Sequence, residues 1–172
     1  MDADDLHTHW HTLVWGVKRS QRYHAKRTQF FQRWAWACSM IAILSGSGAV
    51  LAGLQKAPAW VAVVSAVLIA LFGGLNLVFR FAELARDHRD FNRKFADLEA
   101  RMLLAEPSES ELRKFQAERL KLEGEEPAVK PVLDVICHNE QLIADGAKIW
   151  PHQVTFAQRV LRNYLSEYKP VG

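Results

Sequence analysis

Charged residues are missing from two long central runs of this sequence, 34–55 and 57–79, which only Lys56 separates. Each run has about the 20 residues that an α-helix needs to cross a bilayer. Pro58, just after Lys56, favours a tight turn between them. The missing charge argues against an ordinary soluble domain and predicts a transmembrane hairpin with spans at 34–55 and 59–79.

Cysteine is scarce, and metal-ligand patterns are absent. The two cysteines, Cys38 and Cys137, form no C-x-x-C or other paired spacing. We therefore expect neither a disulfide framework nor a structural zinc site. His7, His9 and His11 alternate, so on a helix His9 points away from the other two, and we expect surface histidines without a metal.

Catalytic signatures are missing as well. The chain has no P-loop, no G-x-G-x-x-G, no H-E-x-x-H and no nucleophile elbow. The polar run 137–140 spreads around a helix and offers no pair at the i,i+4 spacing of metal ligands. We therefore expect neither an enzyme nor a cofactor.

Basic residues, by contrast, are plentiful on both flanks of the hairpin. The positive-inside rule then places both chain termini in the cytoplasm and the turn outside. Tryptophans at the span ends suit the headgroup layer. The basic residues are Lys18, Arg19, Arg22, Lys26, Arg27 and Arg33 before the first span, and Arg80, Arg86, Arg89, Arg93 and Lys94 after the second.

Small residues recur along both predicted spans. Such stripes let helices approach closely, either within the hairpin or between neighbouring subunits, and the sequence leaves both interpretations open. The stripes are Ala42, Gly46, Ala49 and Gly53 on the first span, and Ala62, Ala66, Ala70 and Gly74 on the second.

Polar residues form a line along the second span and its continuation. On one helix, Ser65, Asn76, Arg80 and Glu83 fall within about 40° of one another. They are the candidate pore-lining residues of an oligomer. The alternative is an interhelical hydrogen bond for Asn76, with Arg80 snorkelling to lipid phosphates.

Apolar residues at three- and four-residue spacing continue on both sides of the hairpin. They are Leu6, Trp10, Leu13 and Val17 before it, and Phe81, Leu84, Phe91, Phe95, Leu98 and Met102 after it. They predict an N-terminal helix that leads straight into the first span, and a single helix over 59–105. The sequence therefore predicts three domains. They are a cytoplasmic pre-membrane helix at 1–33, the transmembrane hairpin at 34–79, and a cytoplasmic helical region at 80–172 that packs with the segment 1–33.

Shorter helices are predicted further along the chain. Ser108 and Glu111 have the spacing of a capping box for a helix that ends near Gly124. Two more helices are predicted over 129–144 and 150–168, and no segment has a strand pattern. The fold class is therefore all-α: a two-span transmembrane helical hairpin whose long helices extend into a cytoplasmic helical bundle.

Polar residues interrupt the apolar seams of this predicted bundle. One interpretation is a satisfied buried network that fixes the helix register. The other is a ligand pocket, or a charge latch that changes state on binding. The candidate ligand or latch residues are Ser20, Arg22, Tyr23, His24, Arg27, His88 and Glu140.

The order of these parts resembles a known family. The motif Ser20-x-Arg22-Tyr23-His24-x-x-Arg27 precedes a two-span hairpin, a long helix and a helical tail. This arrangement resembles, over nearly the whole chain, the SLATT domain, a two-transmembrane effector module of bacterial conflict systems. The resemblance implies an oligomeric pore or ion channel in the bacterial inner membrane that acts in anti-phage defence.

The resemblance also implies gating through the cytoplasmic part, by a nucleotide-derived signal or by a nucleotidyltransferase or sensor partner. Basic side chains are the candidates for a nucleotide or oligonucleotide, although such clusters also serve topology and anionic lipid. They are Lys18, Arg19, Arg22, Lys26, Arg86, Arg89, Arg93 and Lys94.

Two other functions are open to a hairpin of this kind. A phage holin also has a short hairpin and basic ends, but holins rarely devote over half of the chain to a folded cytosolic region. A non-conducting anchor would dock a partner through the helical bundle. For the conducting homo-oligomer, a parallel bundle of long helices indicates a small ring of about four subunits.

Overall fold

The computed structural model describes residues 2–54, 58–146, 148 and 152–170, without the side chains of 51, 52 and 54. All regular structure in this part is helical, which confirms the all-α class. The predicted turn at Lys56 and the start of the last predicted helix at Trp150 lie outside the described residues. The helices are α1 (Ala3–Leu54), α2 (Ala59–Phe79), α3 (Phe81–Leu104), α4 (Glu109–Glu125), α5 (Pro131–Ala144) and α6 (Phe156–Leu161).

The chain divides into two compact units. Unit 1 comprises Met1–Arg27 and His88–Gly172, and unit 2 is Thr28–Asp87.

Unit 1 has an apolar core built from α1, α3 and α4. The Trp10 and Phe115 rings meet edge to face, with centroids 5.8 Å apart. The buried core residues are Leu13, Val17, Phe95, Leu98, Met102, Leu112 and Phe115. Those from α1 and α3 are the seam residues that the three-four spacing predicted, so this prediction is confirmed. A second buried cluster joins Tyr23 to Leu133 and Cys137 of α5.

Unit 2 is held together by small residues where α1 faces α2. Cys38, Ser45 and Ser65 are buried. A Cβ added at Gly48 would lie 3.6 Å from Ser65 Oγ, which is ordinary van der Waals contact. Small side chains let the two backbones approach closely.

The outer surface of unit 2 is apolar and exposed. Trp36 on α1 is 73% exposed and Leu77 on α2 is 79% exposed. Within the described residues, the segment Ala59–Leu104 is long and apolar enough to cross a membrane, and only 6% of its apolar window is buried. A core helix of a soluble protein would be mostly buried, so this surface calls for apolar surroundings. The described part of α1 does not meet the same criterion, and the two-span hairpin stays a prediction.

Arg80 interrupts the second long helix. Its φ of 48° and ψ of 45° place it in the left-handed region, so the expectation of one unbroken helix over 59–105 is wrong. Arg80 N still donates to Asn76 O, and Glu83 N donates to Arg80 O, at 3.0 and 2.9 Å. The periodicity could not show this break, because neither Gly nor Pro marks it.

The predicted capping box of α4 forms only in part. Ser108 Oγ accepts a hydrogen bond from Glu111 N at 3.2 Å, as predicted. The Glu111 carboxylate pairs with Lys114 at 3.1 Å and does not return to the cap. A complete capping box occurs instead at Thr155 and Gln158, where α6 begins.

The tail departs from the predicted helices. Among the described residues of the predicted segment 150–168, only Phe156–Leu161 is helical, and the apolar-spaced residues Leu161 and Tyr164 are exposed. A helix this short gains little from its own hydrogen bonds. Val129 is exposed as well, because it lies in the loop before α5 begins at Pro131.

Candidate functional site

His24 of α1 and His88 of α3 face each other inside unit 1. Their Nδ1 atoms are 2.9 Å apart, and the residues are 0% and 3% exposed. One ring must donate this hydrogen bond and the other must accept it, so the two rings cannot both be imidazolium. The seam pattern predicted both residues to point inward, and the structure brings them into contact.

Glu126 adds a carboxylate from the loop between α4 and α5. Its Oε1 lies 3.3 Å from His24 Nε2, and its side chain is 8% exposed. Glu126, His24 and His88 therefore form a continuous buried line of titratable groups, here called the histidine chain. The sequence analysis missed Glu126, because a loop residue lies on no helix seam.

Aromatic rings surround the histidine chain. Phe91 and Phe95 stack on His24, with centroids 5.2 and 5.7 Å away. Tyr23 packs edge-on against His24 at 5.4 Å. Burial, together with the nearby His24 and Arg27, lowers the pKa of His88 from 6.5 to about 3. His88 is therefore neutral at neutral pH.

Tyr23 and Arg27 tie α1 to the surrounding segments of unit 1. Tyr23 Oη accepts a hydrogen bond from Lys130 N at 2.9 Å, and burial raises the pKa of Tyr23. Arg27 Nη1 donates to the backbone oxygen and to Oδ1 of Asn163, both at 3.2 Å. Burial lowers the pKa of Arg27. The guanidinium thus anchors the chain that follows α6.

Arg22 and Glu140 lie outside the histidine chain. Arg22 Nε donates to Gln141 Oε1 at 2.7 Å, while Glu140 pairs with Lys26 at 2.9 Å on a partly exposed surface. Ser20 is half-buried. Of the seven predicted ligand or latch residues, the structure therefore brings together four, which are Tyr23, His24, Arg27 and His88.

Asn139 and Gln141 are buried polar residues of α5 that the sequence analysis missed. Asn139 Nδ2 donates to His152 O at 2.7 Å. Asn139 and Gln141 flank Glu140 in the sequence. The predicted helix register turned Glu140 inward, whereas the structure buries its two neighbours.

The predicted polar line is interrupted at Arg80, which separates Ser65 and Asn76 of α2 from Glu83 of α3. Ser65 is buried and lies against Gly48, so it packs between α1 and α2. Arg80 forms an ion pair with Glu83, on the far side of the break. Asn76 is half-buried and accepts the Arg80 backbone N–H.

Several basic candidates for a nucleotide are already paired with carboxylates in unit 1. Lys18 pairs with Glu99, and Lys94 pairs with Glu125. Arg19 Nε lies 3.4 Å from Asp134 Oδ1. These carboxylates therefore compete with a phosphate for the same side chains. Arg86, Arg89 and Arg93 are exposed.

The part of the chain that the structure describes offers few groups for metal binding or for thiol chemistry. No group of three or more His, Cys, Asp or Glu side chains there could hold a metal ion. His7, His9 and His11 are exposed. Burial raises the pKa of Cys137 to about 12, so its thiolate is not formed at neutral pH.

No family model, no curated protein and no solved structure matches this chain. The resemblance to the SLATT domain therefore rests on the order of the segments and on the motif from Ser20 to Arg27.

Proposed function

We propose that this chain is a two-span membrane protein that associates with copies of itself to conduct ions, with unit 1 as its regulatory part. The observation that carries the proposal is the exposed apolar surface of unit 2. In water such a surface would drive aggregation, whereas in a bilayer it is the surface that lipid requires.

The first apolar run carries the same kind of surface as the second. Ile43, Leu44 and Val50 of α1 are large, apolar and exposed. No charged residue lies between Arg33 and Lys56. This supports two spans, with both ends of the chain on the cytoplasmic side, where the basic residues lie.

Self-association is supported by the small residues of α2. Ala62, Ala66 and Ala70 are exposed, whereas Ser65 is buried. The small stripe of α2 is therefore open to a neighbouring helix, in the manner of transmembrane helices that pack through small residues.

A conducting path in this proposal uses Asn76, Arg80 and Glu83. Intramembrane and interfacial polar groups of this kind usually face other protein or water. Ser65 is left out, because it packs within the hairpin. The nucleotide-derived signal, the sensor partner and the role in anti-phage defence come from the resemblance alone.

Ion flux from liposomes that contain the purified protein tests the conducting path. We expect flux from the wild type, and a large loss in the double variant Asn76→Leu with Arg80→Leu. Ser65→Ala is the matched control, since it removes a polar group from the inside of the hairpin, and it should conduct normally. Silence of folded, inserted wild-type protein would contradict conduction and favour the anchor.

Oligomeric state in detergent tests the association separately. Ala66→Leu should weaken the oligomer, because the larger side chain keeps a neighbouring helix away. Val64→Leu, which also adds apolar bulk to exposed α2 surface but lies off the stripe, should leave it intact. Equal behaviour of the two variants would argue against contact through the stripe.

A further inference from the structure

Unit 1 contains a cavity of about 430 Å³ between α1 and the loop from α4 to α5. Arg19, Ser20 and Tyr23 line it from α1, and Glu126 lines it from the loop. Its volume is within the range of small-molecule sites, which is about 300–1,000 Å³.

The charges around the cavity favour a cation over an anion. Three carboxylates line it, those of Glu123, Glu126 and Asp134, against the single guanidinium of Arg19. Glu123 is paired with Arg119 at 2.7 Å, and Asp134 lies close to Arg19. Among the described residues, the ion pair recorded for Glu126 is with the His24 imidazole. A phosphate entering the cavity would be repelled by this lining.

Two lining groups are buried without a hydrogen bond. Among the described residues, Glu126 Oε1 and Arg19 Nε make no hydrogen bond, although His24 Nε2 lies 3.3 Å from the first and Asp134 Oδ1 lies 3.4 Å from the second. The Glu126 side chain is 8% exposed. Buried polar groups in proteins are nearly always hydrogen-bonded. One group is an acceptor and the other is a donor, and both belong to residues that line the same cavity.

We propose that this cavity binds a small organic cation, an amine or guanidine that also carries a hydrogen-bond acceptor. The N–H groups of the cation pair with the Glu126 carboxylate, and its acceptor takes an N–H of the partly exposed Arg19 guanidinium. Such charge-assisted hydrogen bonds are the strong ones in proteins.

Binding would also act on the histidine chain. The Glu126 carboxylate faces His24, so a cation in the cavity competes with the imidazole for it. His88, Tyr23 and Arg27 are the other titratable groups around His24. The binding step rests on unit 1 alone, and only its consequence for ion flux rests on the proposed function.

The test is calorimetric titration of the full-length protein in detergent with N-acetylargininamide, a guanidinium with amide acceptors. N-acetylcitrullinamide has nearly the same shape without the charge, and inorganic phosphate is the anionic probe. We expect binding of the arginine compound only. Absence of its binding, or equal binding of the citrulline compound, overturns the proposal, as does phosphate binding that Glu126→Gln strengthens.

Glu126→Gln should weaken binding by about tenfold or more, because a charge-assisted hydrogen bond is lost. Glu125→Gln is the matched control, since the neighbouring Glu125 pairs with Lys94 and does not line the cavity; it should bind as the wild type does. Binding equal in Glu126→Gln and Glu125→Gln overturns the assignment.

A second variant keeps the test independent of the Glu126 charge. Ala128→Trp fills the cavity from its loop and leaves every carboxylate in place, so it should also abolish binding, with folding checked by circular dichroism. Retained binding in that variant would overturn the site. Binding that leaves liposome flux unchanged would uphold the site and contradict its role in gating.

Discussion

The two units place the same kinds of residue in opposite positions. In unit 1, Phe95 and Leu98 are fully buried, and polar His24 is buried with them. In unit 2, Leu77 and Val78 are exposed, while Ser45 and Ser65 are buried between helices. Apolar burial is what water drives, and a helix surrounded by lipid does not need it. The contrast therefore supports the proposal that unit 2 lies in a membrane and unit 1 in water.

The largest expected effect is on the stability of unit 1. Phe95→Ala should destabilise unit 1 by about 3–5 kcal/mol, because it leaves a cavity in a closed core. Leu120→Ala, at an exposed position of α4, should change stability by about 0.5 kcal/mol or less. Denaturant unfolding followed by circular dichroism measures both. Similar losses in the two variants would show that the core described here does not hold unit 1 together.

An arginine placed on the exposed surface of each unit tests whether that surface faces water or lipid. Val67 of α2 and Leu120 of α4 are 58% and 67% exposed. Val67→Arg should oppose membrane insertion by about 2.5–3.5 kcal/mol, the cost of Arg near the centre of a span. Leu120→Arg should be nearly neutral. Glycosylation-site mapping measures how well each variant inserts into the membrane. Equal tolerance of the two substitutions would contradict the proposed difference between the surfaces of α2 and α4.

The apolar spacing in the sequence predicted correctly which residues of α1 and α3 are buried in unit 1. Leu13, Val17, Phe95 and Leu98 recur at three-four spacing, and all are buried. His24 and His88 could be found because they are polar residues on those seams. The same spacing failed in the tail, where α6 is too short to bury its seam.

Glu126 shows why the rest could not be predicted. Glu125 and Glu126 are identical neighbours in the sequence. Glu125 pairs with Lys94 at the surface, whereas Glu126 is buried beside His24. Only the path of the loop decides which carboxylate turns inward, and no periodicity encodes that path.

The buried histidines predict a pH dependence confined to unit 1. Unfolded His88 takes up a proton below pH 6.5, whereas folded His88 takes it up only near pH 3. Stability from this group is therefore complete above pH 6.5 and is lost as the pH falls toward 3. Near pH 5 the loss should be up to about 1.4 kcal/mol per pH unit.

Denaturant unfolding at several pH values measures this slope. His88→Gln should flatten it, although the neighbouring titratable groups Glu126, His24 and Arg27 remain. His11→Gln, at an exposed site of α1, should keep the wild-type slope. A wild-type slope in His88→Gln would assign the pH dependence to another group.

The smallest expected effect concerns the break at Arg80, where the apolar surface of α2 ends. A left-handed backbone costs a non-glycine residue about 1–2 kcal/mol. The exposed ion pair between Arg80 and Glu83 offsets about 1 kcal/mol or less of this cost. Arg80→Gly should keep the break with little change in stability, since glycine adopts this conformation freely. Arg80→Ala should favour one continuous helix, because alanine has the highest helix propensity.

Spin labels at Ala70 and Ala82, both exposed and both in unit 2, distinguish the two outcomes. In a continuous helix these positions are about 18 Å apart along the axis. The distance in Arg80→Ala should approach that value, and the distances in Arg80→Gly and the wild type should agree with each other. Distances that match the continuous helix in all three proteins would contradict a break at Arg80.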